Sequence, residues 1–358
     1  MTRFILRRIL VSLPVLFGVL FAVFAIARVI PGSPCTQALG ERTSPARCAQ
    51  FNAAHGLDQP IPVQFVTYLG ELAQGDLGTS TKFGRPVGQI LLERLPLTVE
   101  LTLISLLLAI VIGVPLGVVS AAKRNSPIDA GTMVIANLGV SIPIFVLGLL
   151  LAYLFAITFK DTPIALPPSG RLSPGTQVIP LATVWGLQAL SGPPRALLDF
   201  LSGIYTFNAL VTFNWSLLGD ALRHLILPAV ALGSIPLAII ARITRSSLLD
   251  VLGQDFVRTA RAKGLRERRV VLRHGLGNAL LPVVTIIGLQ LGGLLSGAVL
   301  TETIFRLGGV GSAIFEAVLG RDYQIIQGFA VLVAIIFITV NLIVDVSYAK
   351  LDPRVRLS

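Results

Sequence analysis

The fold class this sequence predicts is an all-α integral membrane protein with about six transmembrane helices, and three observations predict it. Apolar residues make up 54% of the 358 positions and charged residues only 13%, with a mean hydropathy of +0.81, far from the balance of a water-soluble domain. Six apolar runs are near the ~20 residues that cross a bilayer as a helix: Ile9–Ala27, Val99–Val119, Met133–Phe159, Leu225–Ala241, Leu280–Leu300 and Ile325–Val346. Charge between these runs is one-sided. Gaps 1–8, 120–132, 242–279 and 345–358 hold 17 Lys and Arg against 6 Asp and Glu, whereas gaps 28–100, 160–223 and 302–324 hold 12 of each. The whole net charge of +11 therefore lies on one side, which the positive-inside rule makes cytoplasmic, together with both termini. This topology accounts for the basic balance, so no nucleic-acid partner is expected.

The first run, residues 1–30 with its flanks, follows Arg3, Arg7 and Arg8. Its apolar length exceeds the 7–15 residues of a secretory signal, so a retained anchor is expected. An extracytoplasmic segment follows over 31–97. It carries the only two cysteines, Cys35 and Cys48; an oxidising compartment favours a disulfide between them, with two unpaired thiols as the alternative. Val63–Leu72 reads as an amphipathic helix lying on the membrane surface or against the bundle.

The remaining five spans fall within 98–347, ahead of a cytoplasmic tail at 348–358. Gly113 with Gly117, Gly288 with Gly292, and Gly293 with Gly297 have the spacing that permits close helix approach. Pro115, Pro143, Pro228 and Pro236 interrupt helical hydrogen bonding and predict kinks. The second extracytoplasmic segment, 160–224, is rich in Pro and Gly; its apolar stretches Val178–Leu190 and Ala209–Leu218 read as re-entrant or surface helices, with an extra spanning pair as the alternative.

Catalytic constellations are absent from the sequence. His55, His224 and His274 lie far apart, and no HExxH, CxxC or phosphate-loop motif occurs. Zinc chemistry and intramembrane proteolysis both lack their residues, so no metal site, catalytic residue or enzymatic activity is expected. Ionisable residues near the spans sit at their ends, at Glu100, Arg242 and Asp345, which argues against a proton relay. Uncharged polar residues do occur within the spans. Asn137, Ser141, Gln290 and Ser296 are candidates for lining a pathway; Thr102, Ser105, Thr285 and Asn341 belong to the same set.

The segment Asp255–Pro282, DFVRTARAKGLRERRVVLRHGLGNALLP, stands apart as a polar, arginine-rich stretch between two apolar runs. Asp255 favours a helix start, Arg258, Arg261 and Lys263 form its polar side, and Phe256 with Ala260 an apolar side. Gly264 suits a helix C-cap. Positive-inside bias and contact with anionic lipid account for such a cluster of arginines, but the small apolar face and the sharp stop fit a short helix built to dock on another protein.

This segment resembles the cytoplasmic loop motif of permease subunits in binding-protein-dependent ABC importers, in the dipeptide/oligopeptide/nickel subgroup, and most closely the B-type subunit. The phrases GLDQPIPVQFVTYLGELAQGDLGTS, GRPVGQILLERLPLTVELTL, IGVPLGVVSAAKRNSPID, SIPIFVLGLLLAYLF, DALRHLILPAVALG and NLIVDVSYAKLDPRVRL are similar to that subgroup in the same order, from Arg3 to Leu357. The broader family has Glu-Ala-Ala before the loop glycine. Here Arg258-Thr259-Ala260 stands in that place, so only Ala260 and Gly264 match directly. The stretch from about Gly175 to Arg195 reads as an insertion.

The resemblance implies a type I importer permease domain over 98–347 in the cytoplasmic membrane of a prokaryote. It implies a second, homologous permease, two cytoplasmic ATPases and an extracytoplasmic solute-binding protein. ATP and Mg would be used by the ATPases, with no cofactor bound by this chain. It further implies that Asp255, Phe256, Arg258, Ala260, Arg261, Lys263 and Gly264 couple the ATPases to the bundle, Ala260 by allowing close approach. The cargo implied is a di- or oligopeptide; nickel complexes, glutathione or another small solute are alternatives on the same architecture. A membrane scaffold without transport is the alternative from a different class.

Overall fold

The computed structural model describes residues 2–29, 34–40 and 43–351, without the side chains of residues 2–5, 9, 29, 34, 37, 38, 296 and 343–351. Helices account for nearly all ordered structure, and the described residues contain no strand beyond an isolated bridge between Thr79 and Pro86.

On the N-terminal side lie α1 (Thr2–Val29), the short α2 (Pro34–Leu39) and α3 (Pro45–Ala54), and α4 (Ile61–Ala73). Cys35 and Cys48 are disulfide-bonded, with Cα atoms 5.4 Å apart, and hold α2 to α3. The amphipathic face of α4 packs on the outer half of α1. Phe65 meets Phe17, Phe21 and Phe24 edge-on at centroid distances of 5.0–5.6 Å, and Tyr68 stacks on Phe24.

The core is built from three long helices: α5 (Val87–Ala122), α11 (Trp215–Leu252) and α14 (Gly277–Ile304). All three outrun the apolar stretches that predict them. The polar ends continue as helix because intrahelical bonding needs no apolar side chain; hydropathy marks only the part in lipid. Glycines set the closest contacts. A Cβ at Gly113 would lie 2.8 Å from the Leu237 carbonyl oxygen, and one at Gly117 2.5 Å from that of Ala241, so α5 and α11 touch backbone to backbone. Gly297 meets Leu232 of α11 and Gly292 faces Phe337, whereas Gly293 has open space around it. Pro115, Pro228 and Pro236 stay inside continuous helices.

The third predicted run is not one straight span. Between α5 and α11 lie α6 (Pro127–Ser141) and α7 (Ile144–Tyr153, prolonged by a wider turn over Leu154–Thr158); the chain bends by 99° between them. Ile142 is extended and Pro143 cannot donate its nitrogen, so the break falls where the proline requires it. Among the described residues, counting this pair as one span gives six; otherwise five helices are long and apolar enough to cross.

The second outer segment forms α8 (Leu181–Val184), α9 (Pro193–Gly203) and α10 (Tyr205–Val211). It is fastened to the bundle by charge. Glu100, buried on α5, accepts from Arg171 Nη2 at 2.7 Å and from the Thr206 amide at 2.6 Å. The Arg171 guanidinium also lies 3.4 Å above the Tyr205 ring. Asp220 at the start of α11 receives the Ser173 amide and hydroxyl at 2.8 and 2.6 Å. The inserted stretch is held by Leu181, fully buried, whose amide donates to Ser202 Oγ at 2.8 Å.

After α11 come the cytoplasmic α12 (Asp255–Ala262), a single turn α13 (Glu267–Arg269) and a wide π-type turn over Val270–Leu276 that runs into α14. The chain ends with α15 (Val310–Gly320) and α16 (Tyr323–Leu351), the latter packed on α1. Glu302 fastens the α14–α15 corner. Its carboxylate accepts from Thr98 Oγ1 at 2.6 Å and from the Ser312 amide at 3.0 Å. A Cβ at Gly309 would stand 2.5 Å from that carboxylate, so glycine alone lets it in.

Candidate functional site

The cytoplasmic α12 is short and its cap is weak. Gln254 precedes it in extended conformation without a side-chain cap bond, and Asp255 occupies the first helical position, where its charge favours the N-terminus. Asp255 pairs with Arg258 at 3.2 Å on the exposed surface. Eight residues would not hold a helix alone; packing holds this one. Val257 is fully buried and Ala260 nearly so. They enter a cluster with Ala121 from the end of α5, Leu248 and Val251 from the end of α11, Val270 and Val271 from the wide turn, and Ala279 from the start of α14. Gly275 completes the seat, its α-carbon so close to Leu248 and Leu252 that a Cβ would come within 2.9 and 3.1 Å. The helix thus packs on the wide turn and shares one apolar cluster with residues from the cytoplasmic ends of all three core helices.

This arrangement corrects the expected apolar face. Phe256, one turn before Ala260, is 41% exposed, while Val257 takes the fully buried position beside Ala260. Ala260 is buried in the cluster with the helix ends, where its small size allows close seating of α12. The face offered to the cytoplasm consists of Phe256 with Asp255, Arg258, Arg261 and Lys263, all exposed. Arg266, Arg268, Arg269 and Arg273 extend the basic surface along the same segment.

Gly264 ends the helix with φ +73°, and its amide donates to the Arg261 carbonyl at 2.9 Å. That left-handed conformation costs other residues about 1–2 kcal/mol, and nothing crowds the position, so the demand for glycine is conformational. The turn is clamped by Arg261, which grips Glu267 with Nη2–Oε1 at 2.8 Å and Nε–Oε2 at 3.2 Å. The nearby carboxylate holds the Arg261 guanidinium above its ordinary pKa. A second clamp lies beside it. Asp129 of α6 accepts from Arg245 Nε and Nη2, both at 2.8 Å, from the Asn125 amide at 3.0 Å, and from Ser120 of α5. One carboxylate therefore ties α5, α6 and α11 together at their cytoplasmic ends.

The polar candidates within the spans separate into two groups. Thr102 and Ser105 are buried in the α5 interface, Ser105 bonded to the Leu101 carbonyl at 2.7 Å; both serve packing. Asn137 and Ser141 lie exposed one turn apart on α6. Asn137 Oδ1 accepts from Arg242 Nη2 at 2.7 Å, and Ser141 Oγ donates to the Asn137 carbonyl at 3.0 Å. Gln290 is half-buried on α14 and is not joined to that pair by any hydrogen bond among the described residues. The Ser296 side chain lies outside the described residues.

The buried carboxylates were not legible as functional residues. Glu100 stands thirteen residues inside α5, not at its end, and Glu302 is fully buried although it falls in a gap between apolar runs. A partial signal was present: Glu302 is followed at short distance by the Gly308-Gly309 and Gly311 backbone that admits it.

Comparison with known proteins places this geometry in a family. Residues 113–357 match the model of the binding-protein-dependent transport system inner membrane component, and residues 1–102 match the N-terminal model of the same membrane components. The chain is 42% identical over 360 residues to the dipeptide transport system permease protein DppB of Escherichia coli K12, covering 99% of each. It is 43% identical over 357 residues to the di/tripeptide transport system permease protein DppB of Pseudomonas aeruginosa, again 99% of each. Identity to the oligopeptide transport system permease protein AppB of Bacillus subtilis is 37% over 357 residues, 99% of this chain and all of that one. With its spanning helices and its seated cytoplasmic helix, the chain belongs to the binding-protein-dependent ABC importer permeases and is a multi-pass protein of the bacterial inner membrane with the type I fold.

Proposed function

We propose that this chain is the permease subunit of an ATP-driven importer of di- and oligopeptides. Similarity across its full length to permeases named for dipeptide, di/tripeptide and oligopeptide transport supports the cargo class. One observation carries the coupling: through Val257 and Ala260, α12 packs on the wide turn that runs into α14 and joins an apolar cluster with the ends of α5, α11 and α14, while Phe256 and the arginines stay exposed.

The partners in this reading are a second homologous permease, two cytoplasmic ATPases and an extracytoplasmic solute-binding protein. The permease supplies no catalytic residue and binds no cofactor; ATP and Mg act in the ATPases. Their closure displaces α12. Because α12 is packed into an apolar cluster shared with three helix ends rather than hanging on a flexible loop, the displacement reaches the bundle as a rigid-body movement. The Asp129–Arg245 clamp keeps α6 moving with α11 and α5. The bend at Ile142–Pro143 lies beyond that clamp and is the place where α7 can change angle.

The test is uptake of a labelled dipeptide into proteoliposomes containing the assembled transporter. ATP-dependent accumulation that requires the solute-binding protein is expected. Absence of any ATP-dependent peptide flux, with all subunits present, overturns the cargo assignment.

A further inference from the structure

A cavity of about 550 Å³ opens on the extracytoplasmic side between α1, α4 and the start of α16, away from the α5–α11–α14 core. That is within the size range of small-molecule sites. Arg28, at the end of α1, lines it. The guanidinium lies 3.3 Å over the Phe24 ring, with Nε on Gln64 Oε1 at 2.7 Å and Nη1 on the Phe24 carbonyl at 3.3 Å. Both acceptors are neutral, and Arg28 makes no ion pair among the described residues.

Two further donors line the same cavity without partners. Tyr68 and Gln327 are 8% and 7% exposed, and neither Tyr68 Oη nor Gln327 Nε2 has a hydrogen-bond partner. Leaving such groups unsatisfied costs about 1–3 kcal/mol each. Burial raises the Tyr68 phenol to about 12, so it stays protonated and able to donate. Glu71 and Asp76 also line the cavity. A lining that combines a cation, two orphan donors and two carboxylates suits a ligand that carries both charges. A doubly charged phosphate would meet Glu71 and Asp76 unfavourably.

We propose that this cavity is an extracytoplasmic binding site for a small zwitterion with a free carboxylate, an amino acid or short peptide. Arg28, Tyr68 and Gln327 hold the carboxylate, and Glu71 and Asp76 attract the ammonium. The lining residues lie outside the α5–α11–α14 core. The choice of ligand class rests on the peptide-importer reading.

The test is calorimetric titration of the full chain, copurified with its membrane and ATPase partners in nanodiscs and without the solute-binding protein. The probes are L-alanyl-L-alanine, its C-terminal amide and inorganic phosphate. Saturable binding of the dipeptide is expected, weakened at least about 10-fold by amidation and by Arg28→Gln, and about 5-fold by Tyr68→Phe or Gln327→Leu. Phosphate should not compete. Tyr68→Phe removes one oxygen and so keeps the test valid if Arg28→Gln fails to assemble. Binding that survives all three substitutions, tighter binding of phosphate, or no binding overturns the site. Peptide uptake in proteoliposomes, measured in parallel with the solute-binding protein present, separates that outcome from failure of the transport reading.

Discussion

Gly264 and Phe256 have distinct duties in α12, and each can be tested alone. Gly264 has room for a side chain but a backbone that opposes one. Gly264→Ala should therefore lower stability of the cytoplasmic segment by about 1 kcal/mol. Gly264→Asp should go further, abolishing transport and weakening ATPase association while membrane insertion persists. Uptake assays with copurification read both, and normal uptake by Gly264→Asp would remove α12 from the coupling route. Phe256 is exposed and Ala260 is not. A cysteine at Phe256 should crosslink to an ATPase, whereas one at Ala260 should remain unreactive in the folded protein. The opposite pattern in a crosslinking series would show that the helix is rolled differently in the assembled transporter. Arg258-Thr259 replaces the acidic start usual in the wider family, and Asp255, three residues earlier, is the acidic group near the N-terminus of the helix.

At the level of elements, close approach and buried charge make opposite demands. Gly117 sits where a Cβ would lie 2.5 Å from the Ala241 carbonyl oxygen. Gly117→Val should separate α5 from α11 and destabilise the bundle by about 1–3 kcal/mol or more, seen as a lowered midpoint in detergent thermal unfolding; an unchanged midpoint would mean that the two helices are not in contact. The Glu100–Arg171 pair anchors the outer segment to α5, with Glu100 buried and Arg171 18% exposed. Arg171→Met leaves a buried carboxylate without its cation and should cost about 3–5 kcal/mol. Glu100→Gln combined with Arg171→Met should recover much of that loss. A double-mutant cycle on unfolding midpoints measures the coupling, and simple additivity would show that the pair is not formed.

For the whole molecule, the decisive measurement is what the chain assembles with. Affinity purification in mild detergent should bring down ABC ATPases and a homologous permease. A chain that purifies alone, yet folded, would favour the scaffold reading over transport. The outer face has its own test. Cys35 and Cys48 are joined across α2 and α3, so the native protein should resist thiol labelling until it is reduced. Two cysteines labelled freely without reductant would exclude the bond.

Much of this fold is determined by the sequence alone. Hydropathy marks the lipid-embedded lengths because an unpaired backbone cannot exist in hydrocarbon, and the distribution of Arg and Lys orients them. Gly264 announces its turn because a left-handed residue favours glycine. What the sequence does not disclose is which residues meet. Phe256 and Val257 are both apolar, and an eight-residue helix has too few turns for periodicity to choose between them; only the seat formed by Ala121, Leu248 and Val270 turns Val257 inward. Glu100 reads as a charge at the end of a span and Glu302 lies between two apolar runs; their burial is not disclosed because their partners, Arg171, Thr98 and Ser312, stand far away in the chain or across a corner. The interruption expected at Pro143 is a 99° break, while Pro115, Pro228 and Pro236 remain within continuous helices. Local chemistry is the same at all four prolines, and the surrounding helices decide the outcome.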